Sequence, residues 1–157
     1  MKTINLTQNK VILVDDEDYD FLNQWKWYFN NGYAIRLIWN HKSKKIEHIY
    51  MHRVILNTGI GMDTDHLNHN GLDNRKANLR VATRSQNQAN RVISKNNTSG
   101  YKGVIWNKQK NKWQAQIKIN RKLKVLGFYQ SSKNAALAYN IATVGYFGKF
   151  SKTNIIQ

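Results

Sequence analysis

The sequence predicts an α+β protein assembled from small units rather than around one large core. Short β-branched and aromatic segments recur along the 157 residues, each bounded by turns rich in Asn and Gly. A polar stretch, "VISKNNTSG", interrupts this pattern before a last group of strands and one longer helical segment. Charge changes sign along the chain. Residues 1–73 hold nine Asp/Glu and eight Lys/Arg, whereas residues 74–157 hold seventeen Lys/Arg and no acid. The organisation read from these features is a β-rich unit over 1–50, a compact central unit over 51–91, a linker over 92–98, and a three-stranded sheet with one helix over 99–154.

Each element has a local reason. "KVILV" is apolar and β-branched, a strand. "DDEDYDFLNQW" places acids ahead of Tyr19, Phe21 and Leu22, which reads as a short helix whose first turn is stabilised by negative charge. "KWYF", "NNG" and "YAIRLIW" read as strand, tight turn and strand, with "IEHIYM" a further strand. "MHRVIL" starts a short helix, "ANLRVAT" alternates, and "RSQNQANR" is a polar helix opened by Thr83 or Ser85. In the last unit "YKGVIWN", "KWQAQIKIN" and "RKLKVLGFY" are strands, and "SSKNAALAYNIATVGYFG" is a helix capped by Ser131 or Ser132. Trp25, Trp27 and Trp39 are read as packing residues.

Composition excludes whole classes of function. Without cysteine there is no disulfide partner, thiol catalysis or cysteine zinc site. Met1–Asn9 is polar, unlike a signal peptide, and no apolar run approaches a membrane span. The expected setting is intracellular and cytoplasmic, in a bacterium or encoded by a phage, with no membrane partner. A formal charge of +16 concentrated in the C-terminal half points to a polyanion, and double-stranded DNA is the expected one.

The stretch "DTDHLNHNGLDNRKANLRVATRSQNQAN" gathers one Asp-His pair and many short amides. Metal-assisted phosphodiester hydrolysis needs an oxygen ligand for a hard cation, a base for water, and rigid groups to hold both. Asp65 offers the carboxylate and His66 the base, because an imidazole is largely neutral near pH 7. Asn78 follows His66 by twelve residues and Asn87 follows Asn78 by nine. Asn68, Asn70, Asp73 and Asn74 suit turns. His52 is read as a structural histidine. His69 lacks a third strong ligand for a zinc site. Arg75, Arg80 and Arg84 are candidate phosphate contacts.

"MHRVIL", "DHLNHNGLDNRKANLRVAT" and "SQNQAN" resemble the HNH endonuclease motif in its cysteine-free phage and homing-endonuclease form. The resemblance implies a ββα-metal finger over 51–91, a hairpin followed by a helix around one divalent ion. It implies Asp65 and Asn87 as metal ligands, His66 as general base, and Asn78 as the residue that orients the base and fixes the loop. Asn87 replaces the last histidine of the family's name, which favours Mg²⁺, or Mn²⁺ in its place, over Zn²⁺.

In "KWQAQIKIN", Trp113, Ala115, Ile117 and Ile119 alternate with Gln114, Gln116, Lys118 and Asn120, so one face packs and the other offers donors. Ala135, Ala138, Ala142 and Gly145 form a small-residue stripe that suits a helix lying close on a sheet. "SGYKGVIW", "KWQAQI", "LGFY", "AALAYNIA" and "YFGKF" resemble the AP2 DNA-binding domain, which implies a sheet docked in the major groove. The contacts it implies are Lys102, Trp106, Gln114, Gln116 and Lys118, with Lys108, Lys112 and Lys122 on phosphates. Packing stays open beside DNA contact for Trp106. Ile105, Leu123 and Val125 stand where plant members often have Arg or Trp. Together these features predict a site-directed, metal-dependent DNA endonuclease, acting as a monomer or weak dimer. The alternative is a non-enzymatic DNA-binding regulator that uses the sheet.

Overall fold

The computed structural model of the chain describes residues 1–156. They form a mixed α/β protein with four small antiparallel sheets and four α-helices. Two compact units are present, Met1–Ala82 and Thr83–Gln157.

The first unit opens with a hairpin, β1 (Lys2–Asn5) and β2 (Val11–Val14), in register from Lys2 opposite Val14 to Asn5 opposite Val11. β1 falls in the stretch that reads as merely polar. It buries only Ile4 of its four residues, too little to mark a strand by alternation. Helix α1 (Asp16–Leu22) starts with Asp16, Glu17 and Asp18. This acidic turn is bound by cations rather than gathered as a site: Lys76 Nζ lies 2.5 Å from Glu17 and 3.0 Å from Asp18. β3 (Tyr28–Asn30), β4 (Tyr33–Asn40) and β5 (Lys45–Tyr50) form a three-stranded meander. Asn31 and Gly32, both at positive φ, make the tight β3–β4 turn. Ile4, Ile12, Val14, Leu22, Trp27 and Met51 form the core. Trp27 is buried and donates Nε1–H to the Leu22 carbonyl at 2.8 Å. Trp25 lies 4.1 Å beneath the Arg36 guanidinium. Trp39 does not pack as expected, because the outer half of the β4–β5 hairpin leaves it 54% exposed.

Helix α2 (Met51–Ile55) leads to a second hairpin, β6 (Asp63–His66) and β7 (Leu79–Ala82). The long connection 67–78 lies against β2. Leu13 N–H donates to the Leu72 carbonyl at 2.9 Å, and Asn74 N–H donates to the Leu13 carbonyl at 2.8 Å. Gly71 is needed for the approach on the other side, since a Cβ there would stand 2.3 Å from the Gly32 carbonyl oxygen and 2.7 Å from the Tyr33 ring. Residues 1–50, whose role the sequence leaves open, are thus the scaffold on which this connection rests.

The second unit begins with α3 (Arg84–Asn90). Thr83 closes a capping box with Gln86, the Thr83 side chain accepting from the Gln86 N–H and the Gln86 side chain from the Thr83 N–H. β8 (Val104–Asn107), β9 (Lys112–Ile119) and β10 (Lys122–Tyr129) form an antiparallel sheet with β9 central. Helix α4 (Ser132–Phe147) is capped by Ser131, whose Oγ accepts the Asn134 N–H at 3.1 Å. It buries Ala135, Ala136, Tyr139, Thr143 and Phe147, a stripe rotated from the expected one; Gly145 is exposed. Val104 and Ala115 meet Ala135 and Ala136 in the core. α3, which the sequence groups with residues 51–91, belongs by its contacts to this unit. Its Ser85 Oγ accepts the Asn120 N–H of the β9–β10 turn at 2.9 Å.

Gly71→Ala is expected to lose about 3 kcal/mol of stability, the cost of forcing a methyl against backbone and a ring. Urea denaturation of the full chain checks it.

Candidate functional site

The hairpin β6–β7 pairs Asp65 with Arg80 and His66 with Leu79. Side chains directly opposite in an antiparallel pair share a face, so Asp65 and Arg80 meet. Arg80 donates to Asp65 Oδ2 through Nε at 2.8 Å and Nη2 at 2.7 Å. Both are largely buried. Arg80, expected on phosphate, instead holds the carboxylate expected to bind metal.

His66 is 6% exposed. Its Nε2 lies 2.9 Å from Asn74 Oδ1. An amide oxygen only accepts, so the imidazole proton sits on Nε2 and the lone pair on Nδ1. Around the ring stand His52 at 5.1 Å, edge-on, and Tyr33 at 5.8 Å between centroids. Tyr50 lies 5.4 Å from His52, closing the aromatic wall. Burial holds the His66 pKa below the ordinary 6.5, outweighing the Asn74 bond and the charges of Asp65 and Asp73, which pull upward. The ring is therefore neutral near pH 7. His52 is the packing histidine that the sequence suggests, and burial, then His66 and Arg53, takes its pKa to about 3.

The resemblance implies that Asn78 orients the base and fixes the loop. Its Oδ1 accepts the Asn68 N–H at 3.0 Å and its Nδ2 donates to the Asp73 carbonyl at 2.7 Å, so it ties the 67–78 connection to itself. The residue bonded to His66 Nε2 is Asn74, which the sequence reads as a turn residue. Its signal was present but ambiguous, because an Asn in a turn and an Asn beneath a histidine look alike in sequence. Asp73 extends the network, accepting from Asn68 Nδ2 at 2.8 Å and from Arg75 Nε and Nη2 at 2.7 and 2.6 Å. Arg75 is thus engaged at a carboxylate, which holds the Asp73 carboxyl below the usual range. Arg53, not singled out in the sequence, donates to the carbonyls of Thr58, Gly59 and Met62 and shapes the approach to β6.

Among the described residues no group of three or more His, Asp or Glu is gathered to hold a metal. A hard ion such as Mg²⁺ does not need one. It binds through one or two carboxylates, retains waters and takes phosphate oxygens, and the buried Asp65 carboxylate fits that chemistry. Asn87 lies half-buried on α3 of the second unit.

Residues expected at a DNA interface divide into two groups. Lys108 and Lys118 are exposed, and Gln116 and Lys112 are half-buried. Arg84 is exposed at the start of α3. Lys122 is exposed and shares its side of β10 with Lys124, whose Nζ bonds the Tyr146 hydroxyl of α4 at 2.6 Å. Gln114 and Lys102 turn away from the expected surface, and Trp106, open between packing and contact, is 42% exposed. Gln114 is buried, its Oε1 accepting from Asn107 Nδ2 and its Nε2 donating to Gln116 Oε1, both at 2.8 Å. Trp106 is opposite Trp113, edge-on at 5.1 Å, and so lies on the face that packs on α4. Lys102 turns inward. Its Nζ donates to the carbonyls of Ala89, of Arg91 at 2.7 Å and of Gln88 at 3.4 Å. It satisfies the carboxyl end of α3, and burial, then Lys152 and Arg91, draws its pKa down to about 8.

The chain is 28% identical over 145 residues to a protein of Acanthamoeba polyphaga mimivirus named an uncharacterized HNH endonuclease, covering 90% of this chain and 73% of the relative. It is 37% identical over 57 residues to protein 3.8 of Escherichia phage T7, covering 36% of this chain and 47% of that relative. No family model matches the chain. No solved structure matches it significantly. No helix among the described residues is long and apolar enough to cross a membrane.

His52 stays neutral in the folded protein down to about pH 3 but takes up a proton near 6.5 when unfolded. The stability it confers is complete above pH 6.5 and falls as pH drops toward 3, by up to about 1.4 kcal/mol per pH unit. Denaturation curves across that range are expected to flatten in His52→Phe. For Lys102→Met, the expected outcome is a loss of about 2 kcal/mol in stability with an unchanged salt dependence of DNA binding. A phosphate contact would instead lower the salt slope by about 1.

Proposed function

We propose that this chain is a metal-dependent, site-directed DNA endonuclease of the HNH type, intracellular and borne by a phage or virus. The observation that supports it best is the buried His66, neutral, with its Nε2–H on Asn74 and its chain neighbour Asp65 held by Arg80. The mimivirus relative, similar over most of the chain, supports the nuclease class.

The chemistry proposed is attack by water on a phosphodiester. As the water oxygen bonds to phosphorus and the bond to the 3′ oxygen breaks, His66 Nδ1 takes the water proton. Asn74 keeps the other nitrogen protonated throughout, so the ring becomes an imidazolium without rotating. The wall of Tyr33 and His52 limits solvation of the ring and keeps it a base at neutral pH. Arg80 orients the Asp65 carboxylate. A divalent ion, Mg²⁺ or Mn²⁺, held by Asp65, would supply charge neutralisation at the phosphate and leaving oxygen. Asn78 maintains the loop that brings Asn74 under His66. The basic second unit, with its AP2-like sheet, holds duplex DNA while this happens, its cations releasing counterions. One chain offers one such site, so a monomer nicks.

Incubation with supercoiled plasmid checks the proposal. Nicking is expected with Mg²⁺ or Mn²⁺ and is abolished by a chelator. His66→Ala is expected to lower the rate by at least about 100-fold while duplex binding, measured by anisotropy, is retained. Full cleavage by His66→Ala would overturn the base assignment. Binding by the wild-type chain with no hydrolysis under either metal would favour a non-enzymatic regulator.

A further inference from the structure

The three-stranded sheet has one face turned away from α4. Strand register identifies its residues. Val104 opposite Ala115 and Trp106 opposite Trp113 belong to the face packed on α4. Ile105 opposite Gln114, Leu123 opposite Lys118, and Val125 opposite Gln116 therefore share the other face. The register shift between Val125 and Gly127 ends this alternation, which is why parity along β10 does not reveal it in the sequence. On that face Ile105, Leu123 and Val125 are 42%, 59% and 46% exposed. Three branched apolar side chains flank a polar centre.

The centre is a directional chain of amides. Asn107 donates to Gln114, and Gln114 donates to Gln116. Gln116 stands at its end, with one lone pair of Oε1 accepting from Gln114, a second lone pair remaining, and the N–H donors of its own Nε2. An acceptor beside a donor on one planar group matches the adenine edge in the major groove, which offers the N6 donor and N7 acceptor. Guanine offers two acceptors there and is met by donors of arginine or lysine; the lysines of this face, Lys112 and Lys118, stand on either side of the amide centre on β9. No arginine lies among the residues of this face on the three strands. The thymine opposite adenine presents a C5-methyl, the one apolar group in that groove, and aliphatic side chains are its partners. Strands about 4.8 Å apart make a three-stranded face roughly 10 Å across, against a groove of about 12 Å. Lys118 is exposed on it, Lys108 and Lys110 are exposed in the neighbouring turn, and no acid occurs from residue 74 onward.

We propose that this face reads A·T-rich duplex DNA through the major groove, with Gln116 on adenine and Ile105, Leu123 and Val125 on thymine methyls. The inference rests on the reading that the second unit binds DNA and goes beyond it by naming what is read.

The experiment selects sites from a random duplex library with the full chain in chelator, which prevents cutting, followed by affinity measurements on the selected duplex. The selected core is expected to be A·T-rich. Replacing its thymines with uracil, which removes only the methyl, is expected to weaken binding about tenfold. Adenine lacking N7 is expected to weaken wild type but not Gln116→Ala, and Leu123→Ser/Val125→Ser to bind thymine and uracil duplexes alike. A G·C-rich core, or equal binding of thymine and uracil duplexes by the wild type, overturns the A·T assignment and leaves DNA binding by the unit standing. Absence of duplex binding, or self-association through this face shown by sedimentation that Leu123→Ser/Val125→Ser abolishes, overturns both.

Discussion

A buried histidine that stays neutral keeps its single proton on the nitrogen that faces an acceptor. In this chain the acceptor is Asn74, and much of the first unit exists to keep it there. Asn74 comes from the middle of the 67–78 connection, which has little regular structure to hold it. Its backbone N–H is fixed by Leu13 of β2, Asn78 bonds across the connection, and Asp73 gathers Asn68 and Arg75. Each of these bonds satisfies a buried polar group that would otherwise cost about 1–3 kcal/mol. The asparagines concentrated here are therefore mainly a framework.

The same economy governs the charges. Arg80, Arg75 and Lys76 lie just past the point where the chain turns basic, and all three meet carboxylates: Asp65, Asp73, and the Glu17–Asp18 turn. These three cations meet four of the nine acids, and the positive charge that follows them has no acid in its own half of the chain to meet. Lys102 is the counterexample within the second unit, since three carbonyls at the end of α3 hold its ammonium. A short helix with Ser85 bonded to the β9–β10 turn at one end and Lys102 at the other is fixed against the sheet.

Most elements were legible in the sequence because they depend on local patterns. "NNG" between two apolar segments makes the β3–β4 turn, and of the two candidate caps at each helix start Thr83 caps α3 and Ser131 caps α4, each within a few residues. β1 is not legible in the sequence, because four residues with one buried side chain leave almost no period. The packing stripe of α4 was shifted because Tyr139, Thr143 and Phe147 fill the space that small residues alone would leave.

At the site, the amino-acid sequence by itself determined the chemistry on offer: a carboxylate and an imidazole side by side on a strand, amides in place of thiols, and a large surplus of positive charge after residue 74. Only the tertiary structure decided who meets whom. It put Asn74 rather than Asn78 on His66, Arg80 on Asp65, Lys102 on a helix end, and Gln114 inside an amide chain. The reason is physical. Turn chemistry and periodicity are properties of neighbours in sequence, whereas a hydrogen-bond partner across a long loop is set by where the loop closes, and this loop closes on β2, more than fifty residues earlier in the chain.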